Sequence, residues 1–159
     1  MARRYSVKSR NYKKANWSRE NYGFQIAQAA SASNGLYQGG QIIVAPVTTQ
    51  GERTIGHFTI TVPVPGASAS EVYWALVYIP QGTTANTLFS ITGDQTGSLY
   101  EPNQFVIASG VSDATAGPIR ITSHMKRKLH SGDSISLIIG TVNGIGTVRG
   151  LVSYAVKYN

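Results

Sequence analysis

The chemistry-bearing residues of this 159-residue chain crowd its first twenty positions. Arg3, Arg4, Lys8, Arg10, Lys13, Lys14 and Arg19 face one acid there, Glu20, so this stretch holds +6 of the chain's formal +7. The other residues are near neutral, with seven cations against six acids. An imbalance at one end suits a polyanionic partner. Tyr5, Tyr12 and Trp17 stand among these cations, with Tyr22 and Phe24 just beyond. Rings stack on unpaired bases while Arg and Lys meet phosphates, a pairing suited to single-stranded nucleic acid. A solubilising tail or a nuclear-import address shares this composition, and an arm can be an address first and a ligand later.

A second basic row lies far along the chain. If Ile119 to Leu129 is a regular strand, Arg120, Thr122, His124, Lys126 and Lys128 share one face. Ile119, Ile121, Ser123, Met125 and Leu129 lie on the other. Side chains on one face recur about every 7 Å, close to the phosphate repeat of an extended strand. The competing explanation is a solvated edge strand, where Lys discourages edge-to-edge pairing. The expected nucleic-acid contacts are therefore Arg3, Arg4, Tyr5, Lys8, Arg10, Tyr12, Lys13, Lys14, Trp17, Arg19, Arg120, Lys126 and Lys128.

Catalysis finds little support. His57, His124 and His130 are dispersed, and Glu52, Glu71, Asp94, Glu101, Asp113 and Asp133 stand singly. His130-Ser131-Gly132-Asp133 contains the residue types of a triad, but near-adjacent residues cannot assemble one. As a turn it is fully explained. The chain has no cysteine, and no spacing of His and acids offers the three or four ligands of a zinc site. No enzyme activity, metal or cofactor is expected. Val142 to Gly146 follows a strand, so a phosphate-loop reading fails, and Asn143-Gly144 is expected to be a hairpin turn.

These groups must be positioned by strands. Val72 to Ile79 is apolar on both alternate sets, Val72, Trp74, Leu76 and Tyr78 against Tyr73, Ala75, Val77 and Ile79. Such a run, stopped by Pro80-Gln81-Gly82, fits a strand covered on both sides. Further strands are expected at Gln41–Val47, Ile55–Val64, Phe105–Ala108, Pro118–Leu129, Ser134–Val142 and Thr147–Tyr158, with a weak one at Leu88–Ile91. In the last long one, Val148, Val152, Tyr154, Val156 and Tyr158 share a side, opposite Arg149 and Lys157. The chain divides into a flexible basic arm (1–21), a connector (22–40) and a β domain (41–159). Seven to nine antiparallel strands in the β domain make an all-β sandwich or barrel, and the eight-stranded jelly roll is the expected form. No apolar run is long enough to cross a bilayer as a helix, and the start lacks the apolar core of a secretion signal.

Val72 to Thr83, Leu99-Tyr100-Glu101-Pro102, Gly117-Pro118-Ile119-Arg120 and Leu129 to Ile135 resemble stretches of circovirus-like capsid proteins, the coats of small viruses with circular, Rep-encoded single-stranded DNA. The resemblance covers about residues 50–142. It implies a single jelly roll, about sixty copies of which close an icosahedral T=1 shell, with the basic arm against the packaged genome. It also implies a homo-oligomer in the virion; an arm that serves as an import address allows passage through the host nucleus during assembly, and no membrane partner is expected. DNA is the expected polymer, and short coats of satellite RNA viruses share the same plan. Two other classes fit less well. A soluble single-strand-binding module usually carries its basic groove on the fold itself, and a carbohydrate-binding jelly roll leaves the arm unexplained.

Overall fold

The computed structural model describes residues 16–32, 35–49, 51–63, 71–83, 105–115 and 117–158. Eight strands run in chain order: β1 (Ser18–Ala27), β2 (Tyr37–Val44), β3 (Arg53–Val62), β4 (Glu71–Ile79), β5 (Val106–Asp113), β6 (Ile119–Leu129), β7 (Ser134–Thr141) and β8 (Thr147–Tyr158). They form two four-stranded sheets of order β1-β8-β3-β6 and β2-β7-β4-β5. Every pairing is antiparallel. Successive strands alternate between the sheets over much of the chain, so the fold is an all-β jelly roll.

The core lies between the sheets. Phe58, Ile60 and Val62 of β3 and Val148, Val152, Tyr154 and Val156 of β8 meet Val72 and Leu76 of β4 and Ile135, Leu137 and Ile139 of β7. All are buried, as period-two alternation requires. Trp74 and Tyr78 pack against the same core. The alternate set of β4 faces the other way. Ala75 and Val77 join Ile138 in a second, smaller buried cluster, against which Phe105 packs. The double-sided cover expected of β4 is therefore present.

The N-terminal half of the fold differs from the sequence expectation. Ser18–Ala27 is a strand, paired along its length with β8, where the sequence suggested the end of an arm and the start of a connector. The signal is a period of two, with Phe24 and Ile26 buried between exposed Gly23, Gln25 and Ala27. Gly39 and Gly40, at the end of the expected connector, both lie in β2. A Cβ on Gly39 would stand 2.7 Å from the Ile26 side chain and 2.5 Å from the Ala27 carbonyl oxygen. Glycine is there to let β2 approach the end of β1. The β domain thus begins at Ser18, and β5 extends to Asp113. The weak strand expected at Leu88–Ile91 lies outside the described residues.

Three local details also differ. Met125, expected opposite the basic row, is 59% exposed because β6 bulges between its partners Gly56 and Phe58. Tyr158 is exposed at the strand end. Asn143-Gly144 is not a hairpin, since β7 and β8 belong to different sheets. The positive φ in that connection belongs to Gly146, at 67°.

Candidate nucleic-acid interface

The eight Lys and Arg residues among the described ones all stand on the strands of the β1-β8-β3-β6 sheet. Arg53 and Arg127 turn inward. Arg53 is buried and donates from its guanidinium to the carbonyl oxygens of Ala45 and Asp133, and Arg127 lies 4.3 Å over the Tyr78 ring. The other six are Arg19, Arg149, Lys157, Arg120, Lys126 and Lys128. Strand parity and register place them on the outer face with Thr54, His57, Thr59, Thr61, Thr122 and His124. No strand of that face contributes an outward acid among the described residues. The opposite sheet has the reverse character. Its outer face shows Glu71 and Asp113 and no cation among the described residues.

The expected row on β6 is therefore real as geometry: Arg120, Thr122, His124, Lys126 and Lys128 are all exposed. β6 is an edge strand, as the competing explanation also requires. Lys128 is partly committed, its ammonium 3.4 Å from Glu52. The same carboxylate stands 3.5 Å from His130 Nδ1.

Arg3, Arg4, Tyr5, Lys8, Arg10, Tyr12, Lys13 and Lys14 lie outside the described residues. Trp17 and Arg19 lie within them. Arg19 Nε donates to Ser153 Oγ across 2.6 Å, which fixes the guanidinium on the sheet rather than on a free arm. Trp17 reaches furthest. Although it precedes β1 at one edge, its indole contacts β3 and β6 at the other. The indole meets the His57 ring edge-on at 6.1 Å, and Lys126 Nζ lies 5.3 Å above it. His57 in turn meets His124 at 5.8 Å. Small residues stand on the outer face here, Gly56 of β3 opposite Ala155 of β8. Sequence reasoning named Trp17 and Lys126 separately. It missed that the two histidines join them, because strand register is not visible in one sequence.

His57 carries a φ of 55°, in the left-handed region that side chains with a Cβ seldom adopt. The adjacent register shifts in both of its pairings allow it. That backbone turn brings an extra residue onto the outer face.

The acid-bearing turn between β6 and β7 is structural in its geometry. The Asp133 carboxylate accepts hydrogen bonds from the Tyr78 hydroxyl at 2.7 Å, the Gln81 amide at 3.2 Å and the His130 amide at 2.8 Å. Ser131 Oγ donates to the Val47 carbonyl oxygen at 3.2 Å. None of these contacts aligns serine, imidazole and carboxylate in series. Among the described residues no three His, Asp or Glu side chains cluster as a metal site would require. A groove of about 570 Å³ at the far end of the basic face is lined by Phe24, Thr61, Pro63, Pro118, Arg149 and Leu151. It holds one cation and no acid.

No family model and no curated protein matches the chain. Among solved structures, it is similar to the decameric BFDV capsid protein at 10% identity and a TM-score of 0.37, covering 92% of this chain and 98% of that one. It is also similar to Desmodium yellow mottle tymovirus, at 13% identity and a TM-score of 0.36, over 92% of this chain and 90% of that one. Empty-head turnip yellow mosaic virus gives 8% identity and a TM-score of 0.33, over 100% and 89% of the two chains. At TM-scores this low, the jelly-roll assignment rests on the strand order of the chain itself.

Proposed function

We propose that the chain is a viral coat subunit that packages single-stranded nucleic acid inside a shell built from copies of itself. The observation that carries this reading is the segregation of charge. Every described cation belongs to one sheet, and six of the eight project from its outer face. Trp17, which leads back to the arm, rests on that same face. Arm and sheet then act as one basic surface against phosphates, releasing counterions as they bind. The arm cations Arg3, Arg4, Lys8, Arg10, Lys13 and Lys14 supply half of that surface's twelve positive side chains.

Self-association is supported by apolar surface that the monomer leaves open. Ile42 and Val111 are exposed on the outer face of the β2-β7-β4-β5 sheet, and Leu151 is 66% exposed on the other. Ile42 and Val111 stand on the two edge strands of their sheet, where a neighbouring subunit can reach each of them. The proposed assembly is the smallest icosahedral shell, T=1, and the proposed genome is DNA.

A second reading is a soluble module that binds single strands without forming a shell. The basic outer face favours it, since such modules carry their cations on the fold. Size-exclusion chromatography with light scattering and the 260/280 absorbance ratio separates the two. The coat reading expects megadalton particles holding nuclease-protected nucleic acid, with DNase and RNase sensitivity of the extracted polymer telling DNA from RNA. A monomer or dimer at every concentration and ionic strength overturns it in favour of the module. A small species with no affinity for nucleic acid overturns both.

A further inference from the structure

We propose that Trp17, His57, His124 and Lys126 form a nucleotide-binding patch on the sheet, in which a base stacks on the indole and the flanking phosphate is held by Lys126 and the two imidazoles. It rests on the reading of the chain as a binder of single strands, but not on shell formation.

Three features of the cluster point this way. Trp17 remains 37% exposed, with a cation 5.3 Å from its ring centre. Aromatic faces beside Lys or Arg are the common element of sequence-tolerant single-strand sites. The two imidazoles stand 5.8 Å apart in a field of cations. On the same outer face stand Lys126, Lys128 and Arg120 of β6, Lys157 and Arg149 of β8 and Arg19 of β1, while the described acid on the strands of that sheet, Glu20 of β1, has the opposite parity, in register with inward-facing Tyr154. Glu52, just ahead of β3, is engaged with Lys128 and His130. An anion between the rings therefore relieves repulsion that the protein itself does not. Finally, His57 is held at a φ of 55°. Backbone strain at a residue with a Cβ clusters where side chains are aimed for binding.

Because imidazole changes charge between about pH 5 and 8, the patch grips phosphate more firmly as pH falls. It is the point at which an otherwise salt-driven attraction acquires a ring contact and a pH response.

The test uses the full-length chain and a short single-stranded oligonucleotide carrying 5-bromouracil, irradiated and mapped by mass spectrometry. The expected result is a base adduct on Trp17, more abundant at pH 5.5 than at pH 8. In a His57→Gln/His124→Gln variant that adduct should fall roughly tenfold and lose its pH dependence, while adducts at Tyr5 and Tyr12 persist. Lys126→Gln should lower the Trp17 adduct and keep the pH response. Adducts confined to the arm overturn the patch, as does a Trp17 adduct indifferent to all three substitutions. Dextran sulfate, a polyanion without bases, should compete less well per charge than the oligonucleotide. Equal competition would reduce the site to bare charge and overturn the stacking. Should a variant fold poorly, the pH profile of the unaltered chain still decides, since a flat profile excludes the histidines. Particles that form without a Trp17 adduct sink the patch and leave the coat reading intact. The adduct on a protein that never forms particles does the reverse.

Discussion

Tyr78 donates its phenolic hydrogen to Asp133 across 2.7 Å, tying the end of β4 to the turn between β6 and β7. The same carboxylate accepts from the Gln81 and His130 amides, so one buried side chain fastens three segments. Gly132, at a φ of 83°, supplies the left-handed residue that aims it. Asp133→Ala leaves those donors without a partner. Each hydrogen bond to a charged group is worth roughly 1.5–3 kcal/mol, and losses within one network are not additive. The expected cost is about 3 kcal/mol in urea denaturation, with Asp133→Asn losing less. A cost below about 1 kcal/mol would show that the turn holds its shape without the carboxylate.

Alkaline pH should loosen the same joint. Burial, then the hydrogen bond to Asp133 and that residue's charge, push the Tyr78 phenol up to about 12, with Arg127 opposing. The folded protein thus holds this proton more tightly than the unfolded chain, whose tyrosine titrates near 10. The stabilisation is complete below pH 10 and is lost as pH rises toward 12. Tyr154 is also raised, chiefly by burial, and acts with the same sign. Urea midpoints should be flat from pH 8 to 9.5 and fall beyond pH 10. Tyr78→Phe should have a shallower fall, and an unchanged slope would assign the alkaline loss to other phenols.

A truncation that spares the described strands ends at residue 15, and not at 20 or 21. β1 begins at Ser18 and pairs with Val156 there, so a cut after residue 20 removes strand residues and the Arg19–Ser153 contact. Deleting 2–15 removes Arg3, Arg4, Lys8, Arg10, Lys13 and Lys14 and leaves every described strand intact. At about 0.7 per phosphate contact, the log–log salt slope of single-strand binding should drop by about 4. A residual slope from the sheet face should remain. Fluorescence anisotropy across a salt series measures both, and an undiminished slope would remove the arm from the interface.

What could be read from one sequence follows from where burial is two-sided or strictly alternating. β4 announces itself through Val72 to Ile79, and β3, β6 and β8 through alternation, because core and solvent impose period two on them. β1 hides, since only Phe24 and Ile26 of its ten residues are buried. Gly39 hides β2 by resembling a turn residue while serving a close contact with Ile26. The basic row on β6 was legible because it lies on one strand. The meeting of Trp17, His57, His124 and Lys126 was not, since it depends on sheet order and on a bulge that no local pattern encodes.

His57 allows the ring and the backbone of the patch to be tested apart. Its φ of 55° costs a residue with a Cβ roughly 1–2 kcal/mol relative to the ordinary right-handed region. Glycine bears no such penalty, though it gives back about 0.5–1 kcal/mol through the freedom it gains in the unfolded chain. His57→Ala and His57→Gly both delete the imidazole and its contacts with Trp17 and His124. They differ in backbone strain and in the freedom of the unfolded chain. The glycine variant should therefore be the more stable of the two, by up to about 1.5 kcal/mol in urea denaturation. Both should bind single-stranded oligonucleotide equally weakly compared with the unaltered chain. If the glycine variant bound as tightly as the original, the left-handed turn would be a feature of sheet geometry that the imidazole merely tolerates. If instead binding fell while stability held or rose, the chain would be keeping a strained histidine at that position for the sake of the anion it grips.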